Sequence, residues 1–247
     1  MRFDVLTLFP EMFSGYLGES LLKLAIERGL VAVHLHDIRD WARDKHKTVD
    51  DRPFGGGPGM VLRVDRVVEC VEAVRRMDAE AGHLVMLTPQ GRRLDQQKVE
   101  YLARHERILL LCGRYEGFDE RIRLILEPDE VSLGDFVLNG GEVAAMAVID
   151  AVIRLVPGVL GDEQSCEDDS FSGEGRLLEF AQYTRPREYR GLEVPEVLLS
   201  GHHQEIARWR NESRVERTRR RQADLMEDGR LLGQPDKSEC QGDPPSS

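Results

Sequence analysis

With 247 residues, 40% of them hydrophobic and 32% charged, the chain has a soluble globular balance and room for one large domain, or one large and one small. Its apolar runs fall far short of the roughly 20 residues a helix needs to cross a bilayer, and the opening MRFDVLTLFP, with an Asp inside a short alternating run, suits a first strand rather than a signal peptide. A net charge of −11 argues against nucleic acid only until its distribution is read: residues 39–66 carry seven Lys/Arg against five Asp/Glu, residues 202–221 carry seven against three, and much of the acidity lies in residues 162–179 and the last twenty.

Residues 2–9 read as a strand broken by Pro10, and residues 19–28 as a helix with an apolar face at Leu21, Leu22, Leu24, Ala25 and Ile26, ended by Gly29. Residues 31–38 alternate as a half-buried strand. His34 and His36 share one face of it at metal-like spacing, but no third ligand is near, so no metal site is expected. Residues 41–60, WARDKHKTVDDRPFGGGPGM, form a polar and then glycine-rich segment too long for a simple connection. It lacks the Lys-Ser/Thr of a P-loop and the spacing of a dinucleotide fingerprint. Either it is a flexible surface loop or its bare backbone approaches an anion.

Residues 64–77 predict a helix with Val67, Val68, Val71 and Val74 on one face, and residues 83–87 a strand ending in Thr88-Pro89-Gln90-Gly91. A helix over 94–104, a strand over 108–112, a short helix over 118–126, a strand at 130–133 and a strong apolar helix over 142–155 follow. Strands alternating with helices imply a mainly parallel α/β sheet covered on both faces. Its strand ends at 87–89, 112–113 and 133–134 then point the same way and build one crevice, where such proteins usually hold a ligand. Residues 161–175 are acidic and poor in apolar residues, an expected interdomain linker. Residues 192–199 with Ile206 and Trp209 suggest a small helical domain, continued by a basic helix over 215–226. The tail over 229–247 has little to bury and is expected to be disordered. Cys70, Cys112, Cys166 and Cys240 lie far apart without a CxxC pair and read as reduced thiols in a cytoplasmic protein.

Several longer motifs stand in one order: FDVLTLFPEMF, HKTVDDRPFGGGPGM, LTPQG, LLLCGRYEGFDER, SLGDFVLNGGE, DAVIRLVPGVLG, EDDSF, YTRPREYRG and LLSGHHQEIARWR. Together, over about residues 1–225, they resemble the bacterial tRNA (guanine-N1)-methyltransferases, which modify guanosine-37 of tRNA. The resemblance implies an α/β fold of the SPOUT class, a mainly parallel sheet with a C-terminal trefoil knot, plus a small α-helical C-terminal domain. Residues 1–160 would form the knotted, S-adenosylmethionine-binding catalytic domain, 161–175 a linker carrying Asp169, and 176–228 a helical tRNA-binding domain. It also implies a cytoplasmic homodimer with each active site shared between subunits, no membrane association, and a preference for a guanosine at position 36. Phe54 and Phe136 depart from the family, which often has Tyr there, and each loses a hydroxyl hydrogen bond.

Methyl transfer to guanine N1 needs an aligned acceptor nitrogen, removal of the N1 proton and stabilisation of charge appearing on O6; positioning supplies much of the rest. On the resemblance, the cradle for S-adenosylmethionine is Leu87, Pro89, Gly113, Tyr115, Leu133, Gly134, Asp135, Phe136, Val137, Leu138, Gly140 and Gly141. Asp169 is the candidate general base, with Asp168 the adjacent alternative, and Arg154 the donor to O6, its charge independent of pH. Read without the resemblance, Arg154 is an ordinary i,i+4 partner of Asp150, and Asp169 one acid in a solvated linker. Glu116 is the third catalytic candidate, contacting either the target base or a magnesium ion. Tyr115 either stacks on an aromatic ring or packs. His46, Lys47, Arg52, Arg208, Arg210 and Arg214 are the candidate RNA contacts. His202 and His203 with Arg210 read equally as domain packing or RNA contact. The competing reading is a non-catalytic nucleotide- or RNA-binding α/β module; a redox or NTP-dependent enzyme lacks its fingerprint residues.

Overall fold

The computed structural model describes residues 1–161, 169–173 and 175–227. The chain divides into two compact units, Met1–Glu163 and Gln164–Ser247. Asp168 and the tail expected over 229–247 lie outside the described residues, as do Cys166 and Cys240.

The first unit is built on five parallel strands: β1 (Arg2–Thr7), β2 (Ala32–Asp37), β3 (His83–Arg93), β4 (Arg107–Cys112) and β5 (Asp129–Ser132), in the order β2-β1-β4-β3-β5. All six residues of β4 are buried. Its unbroken RILLLC run therefore belongs to a central strand covered on both faces. Ile108, Leu110 and Cys112 enter one core with helices α1 (Ser20–Glu27), α3 (Gln96–Leu102) and α5 (Glu142–Ile153). Leu109 and Leu111 enter the other, with α2 (Val64–Arg75) and α4 (Glu120–Leu126). The period of two along the strand divides its side chains between the two layers. Because β1 connects to its neighbour on one side and β4 passes over β3 to β5, a topological switch point lies between β1 and β4.

Helix boundaries follow local chemistry. The Asp95 carboxylate accepts from the backbone N–H of Lys98 and starts α3; Asp119 accepts from Arg121 and starts α4. The expected helices over 94–104 and 118–126 are trimmed to these caps. The expected strand 83–87 instead continues to Arg93, with a register break between Leu87 and Arg92 against β5. Pro89 has no N–H for the ladder, and at Gly91 a Cβ would lie 2.5 Å from the backbone of Glu130 and Val131. Glycine lets the strand close back onto β5 after the bulge. The long segment after β2 is also anchored: Asp50–Asp51 pairs antiparallel with Val61–Leu62. His36 sits 2.8 Å from the buried Asp4 carboxylate through Nε2. Its partner is thus an ion-pair cluster at the sheet, and among the described residues there is no group of metal-binding composition.

In the second unit, Leu192 is not helical. It belongs to a two-strand hairpin, β6 (Glu188–Tyr189) and β7 (Leu192–Glu193), turning through Arg190 and Gly191, both at positive φ. Helices α6 (Glu196–Leu199), α7 (His203–Arg221) and α8 (Asp224–Glu227) follow. The basic helix expected over 215–226 starts earlier and breaks at Gln222, whose φ of −147° and ψ of 65° are not helical. Residues 177–182 run along α7. Leu178 N–H donates to Thr218 Oγ1 at 3.0 Å and Ala181 N–H to Ser213 Oγ at 3.1 Å, with Phe180 buried beside them.

Candidate active site

A cavity of about 250 Å³ opens at the C-terminal ends of β3, β4 and β5, where the three strand ends were expected to converge. Leu87, Val131, Leu133 and Ala144 supply apolar wall, while Thr88, Gln90, Ser132 and Glu116 supply polar groups. Of the residues assigned to the cradle, Leu87, Pro89, Gly113, Tyr115, Leu133, Phe136, Val137, Leu138, Gly140 and Gly141 line it, as does Glu116. Gly134 and Asp135 are not among the lining residues; the Asp135 side chain is exposed and 3.9 Å from Arg93.

Backbone approaches backbone here at distances that side chains would block. The Gly141 N–H donates to Gly113 O at 2.8 Å. A Cβ on Gly141 would stand 2.7 Å from Cys112 Cα, and one on Gly113 would stand 2.8 Å from the Phe118 ring. Cys112 itself is wholly buried, and burial pushes its thiol pKa well above the ordinary value, so it packs rather than reacts.

The loop after β4 is held by the glycine-rich segment. Glu116 N–H donates to Met60 O at 2.9 Å and Leu62 N–H to Gly117 O at 2.9 Å. Gly59 packs so closely under Glu116 that a Cβ would meet Glu116 Oε1 at 2.2 Å. The GGGPGM segment is therefore fixed beside the crevice at its last glycine, while Phe54, at 99% exposure, stands out in solvent. On the β3 side, Arg123 bridges Glu130 Oε2 at 2.8 Å and Gln90 Oε1 at 2.7 Å, steadying the bulge that carries Pro89.

The remaining candidates are not among the lining residues of this cavity. Arg154 is the C-cap of α5, twelve residues from Glu142 at the pocket end, or roughly 18 Å along the helix at 1.5 Å per residue. Asp150, its expected helix partner, accepts from Tyr16 Oη at 3.5 Å. Asp169 sits half-buried in the second unit. Its carbonyl accepts from Ser172 N–H at 3.2 Å, and the neighbouring Ser170 Oγ accepts from Glu179 N–H at 2.9 Å. His46, Lys47 and Arg52 are exposed in the first unit, with Lys47 paired to Asp40 at 2.9 Å. On α7, Arg208 pairs with Glu212 at 2.9 Å, while Arg210 and Arg214 stand over the Phe180 ring at 4.6 and 5.4 Å. These two arginines, with His203, Ile206, Ala207 and Asn211, line a second cavity.

Arg114, Glu142 and Thr7 are absent from the sequence-derived site. Glu142 is wholly buried at the first turn of α5 and ion-paired to Arg114 at 2.9 Å. One signal pointed to it: Glu142 is the only charged residue in the EVAAMAVI run that opens the helix. Nothing local marked Thr7, 135 residues away in sequence.

Comparison with known proteins fits this arrangement. The family described as tRNA (Guanine-1)-methyltransferase TrmD matches residues 1–228. A tRNA (guanine-N(1)-)-methyltransferase of Rhodopirellula baltica is 62% identical over 227 residues, 92% of this chain and 94% of its own. Proteins of the same name from Geobacter sulfurreducens, at 54% over 94% of this chain and 93% of its own, and Geobacillus kaustophilus, at 52% over 92% of each, are also similar. The chain thus belongs to the tRNA (guanine-1)-methyltransferase family.

Proposed function

We propose that this protein methylates N1 of guanosine-37 in tRNA, after a guanosine at position 36, with S-adenosylmethionine as methyl donor. The observation that carries the reading is the crevice at the ends of β3, β4 and β5 in a chain whose family membership spans 228 residues. Its lining suits the donor: bare backbone at Gly113, Gly140 and Gly141 for the nucleoside, apolar wall for the adenine, and the Glu116 carboxylate for a cationic group. When bound, S-adenosylmethionine supplies an electrophilic methyl group on a sulfonium.

The chain's own residues do the rest. The Asp169 carboxylate takes the N1 proton, and the Arg154 guanidinium donates to O6 as charge gathers there. Glu116 orients the target base, or holds a magnesium ion against it. His46, Lys47, Arg52, Arg208, Arg210 and Arg214 grip the phosphates around the extruded base. Residues 1–160 serve as the catalytic domain, with the donor bent in a trefoil knot, 161–175 as the linker and 176–228 as the tRNA-binding domain. The distance of Arg154 from the pocket of its own chain supports a homodimer in which the partner subunit completes each site. A cytoplasmic location accords with the tRNA substrate, and among the described residues no helix is long and apolar enough to cross a membrane.

The test is transfer of labelled methyl from S-adenosylmethionine to tRNA transcripts carrying G or A at position 37. Label on the G37 transcript alone is expected. No label there, from folded protein that binds S-adenosylhomocysteine, would favour the non-catalytic RNA-binding module. Asp169→Asn is expected to lose at least about a hundredfold in turnover while keeping its affinity for S-adenosylhomocysteine. Equal loss of both would assign Asp169 a structural role.

A further inference from the structure

Arg114 stands at the C-terminal side of the switch point between β1 and β4. Arg114 leaves the end of β4 and crosses to three other pieces of chain. Its Nε lies 2.9 Å from Glu142 Oε2, its Nη1 donates to Asn139 O at 3.3 Å, and its Nη2 lies 3.1 Å from Met12 Sδ. The guanidinium carbon stands 4.4 Å from the centre of the Phe9 ring. The other carboxylate oxygen of Glu142 accepts from Thr7 Oγ1 at 2.7 Å, and Thr7 Oγ1 in turn accepts from Phe9 N–H at 2.9 Å. The backbones of Arg114 and Gly140 also pair. A Cβ on Gly140 would fall 2.3 Å from Arg114 Nε, so glycine is needed there for the side chain to pass.

Glu142 is 0% exposed and the Arg114 side chain 17%. A buried carboxylate is tolerated only when paired and hydrogen-bonded, and a helix N-terminus adds to that support. The pair is held by three other pieces of chain: residues 7–12, Asn139 and the start of α5. Two of the segments that meet at the pair, residues 113–118 and 136–141, are walls of the cavity, and Arg114 itself belongs to the lining.

We propose that Arg114 is a positioning residue for the donor, its guanidinium clamped by Glu142, which Thr7 holds in turn, so that the loop after β4 and the loop before α5 are locked into one preformed cradle. This rests on the reading that the cavity binds S-adenosylmethionine. A planar fork is required because Nε and the two Nη groups address different segments; a lysine ammonium keeps the charge pair but cannot reach all of them. The clamp lowers the ordering cost of donor binding and leaves the chemistry at guanine N1 to other groups.

The experiment compares the full-length protein with Arg114→Lys and with the double variant Arg114→Met/Glu142→Leu, which removes both charges together and so leaves neither buried alone. Amide hydrogen exchange is read at residues 113–117 and 139–141 without added ligand, and S-adenosylhomocysteine affinity by calorimetry. Both variants are expected to exchange about tenfold faster or more at these two loops and to bind about tenfold to a hundredfold more weakly. Saturating donor should restore most of the turnover of Arg114→Lys, and none of that lost in Asp169→Asn. Wild-type exchange and affinity in folded Arg114→Lys overturn the proposal, and if that variant unfolds, the same result in the double variant does so. Unfolding of both also overturns it, because the pair is then a folding element rather than a clamp. If the wild-type protein binds no S-adenosylhomocysteine while the loops still loosen in the variants, the donor assignment fails and the clamp stands.

Discussion

Gly141 has φ −77°, a torsion any residue adopts, so its requirement for glycine comes from contact. A methyl there would stand 2.7 Å from Cys112 Cα and 2.8 Å from Gly113 N, and both are backbone atoms rather than the far end of a flexible side chain. Gly141→Ala is therefore expected to cost about 1–3 kcal/mol of stability by overpacking and to widen the cradle between residues 113 and 141. Chemical denaturation and S-adenosylhomocysteine calorimetry check the two effects, and wild-type values in both would show that the loops yield. Gly57 has φ 117° but nothing within 4 Å of its Cβ position, so strain alone applies there and the pocket is untouched. This difference marks what the sequence could say about the site. The glycines at 113, 140 and 141 were legible as bends after strand ends, but which of them face a ligand and which only face each other depends on contacts between segments. The pairing of Arg114, Glu142 and Thr7 was illegible because it joins segments far apart in the chain. Asp169 entered only through a family motif, since composition around it describes a solvated linker while the structure half-buries it in a turn.

Elements read well where one segment determines them. The buried run of β4, the alternation of β2 and the apolar face of α2 are local patterns, and each appears within about two residues of its expected span. The sequence reading failed where a second segment decides. β3 runs past Pro89 because Gly91 can approach β5, and the 192–193 strand forms because residues 188–189 return to pair with it. The buried ion cluster at β1 is of the same kind. Asp4, wholly buried, is bonded by Arg107 Nε at 2.7 Å, His36 Nε2 at 2.8 Å and Arg2 through both Nε and Nη2 at 2.9 Å. Arg107 also donates to the carbonyls of Val74 and Arg75 at the end of α2, tying that helix to the sheet. Burial alone would raise the Asp4 pKa, but the hydrogen bonds from His36, Arg2 and Arg107 prevail and hold it well below the usual carboxylate range. A carboxylate depressed on folding contributes stability above its unfolded pKa and loses it as pH falls through the folded value. The contribution is thus full at neutral pH and begins to fall only below about pH 4. Asp4→Asn, which leaves Arg107 buried without its counter-charge, is expected to cost about 3–5 kcal/mol at pH 7. The deficit should shrink as acid unfolding of both proteins is followed downward from pH 4; a deficit independent of pH would mean that packing, not charge, carries the effect.

At the scale of the whole molecule, the proposed homodimer rests on a distance along α5. The cavity proposed for the donor is at the N-terminal end of α5 and Arg154 at the C-terminal end of the same helix, roughly 18 Å apart by the rise of an α-helix. A guanine N1 in contact with a methyl group in that pocket would have its O6 only a few ångströms away, out of reach of this Arg154. A second copy can supply the missing guanidinium, and a two-fold axis would do so for both sites at once. Subunit mixing tests this directly. Gly140→Val, whose side chain would collide with Arg114 Nε, disables the pocket but keeps Arg154; Arg154→Ala keeps the pocket. Each is expected to be inactive as a homodimer. If Arg154 acts across the interface, a mixed dimer has one site with an intact pocket facing an intact arginine, and one site with neither. Random mixing of equal amounts then makes half of the dimers mixed with one working site each, and the expected recovery is about one quarter of wild-type turnover. If Arg154 serves its own chain, every site in every dimer lacks one component, and mixing recovers nothing. Dilution adds an independent check, because activity that depends on a shared site must fall with dissociation of the dimer, and a concentration-independent specific activity under conditions where only monomer exists would exclude the shared arrangement.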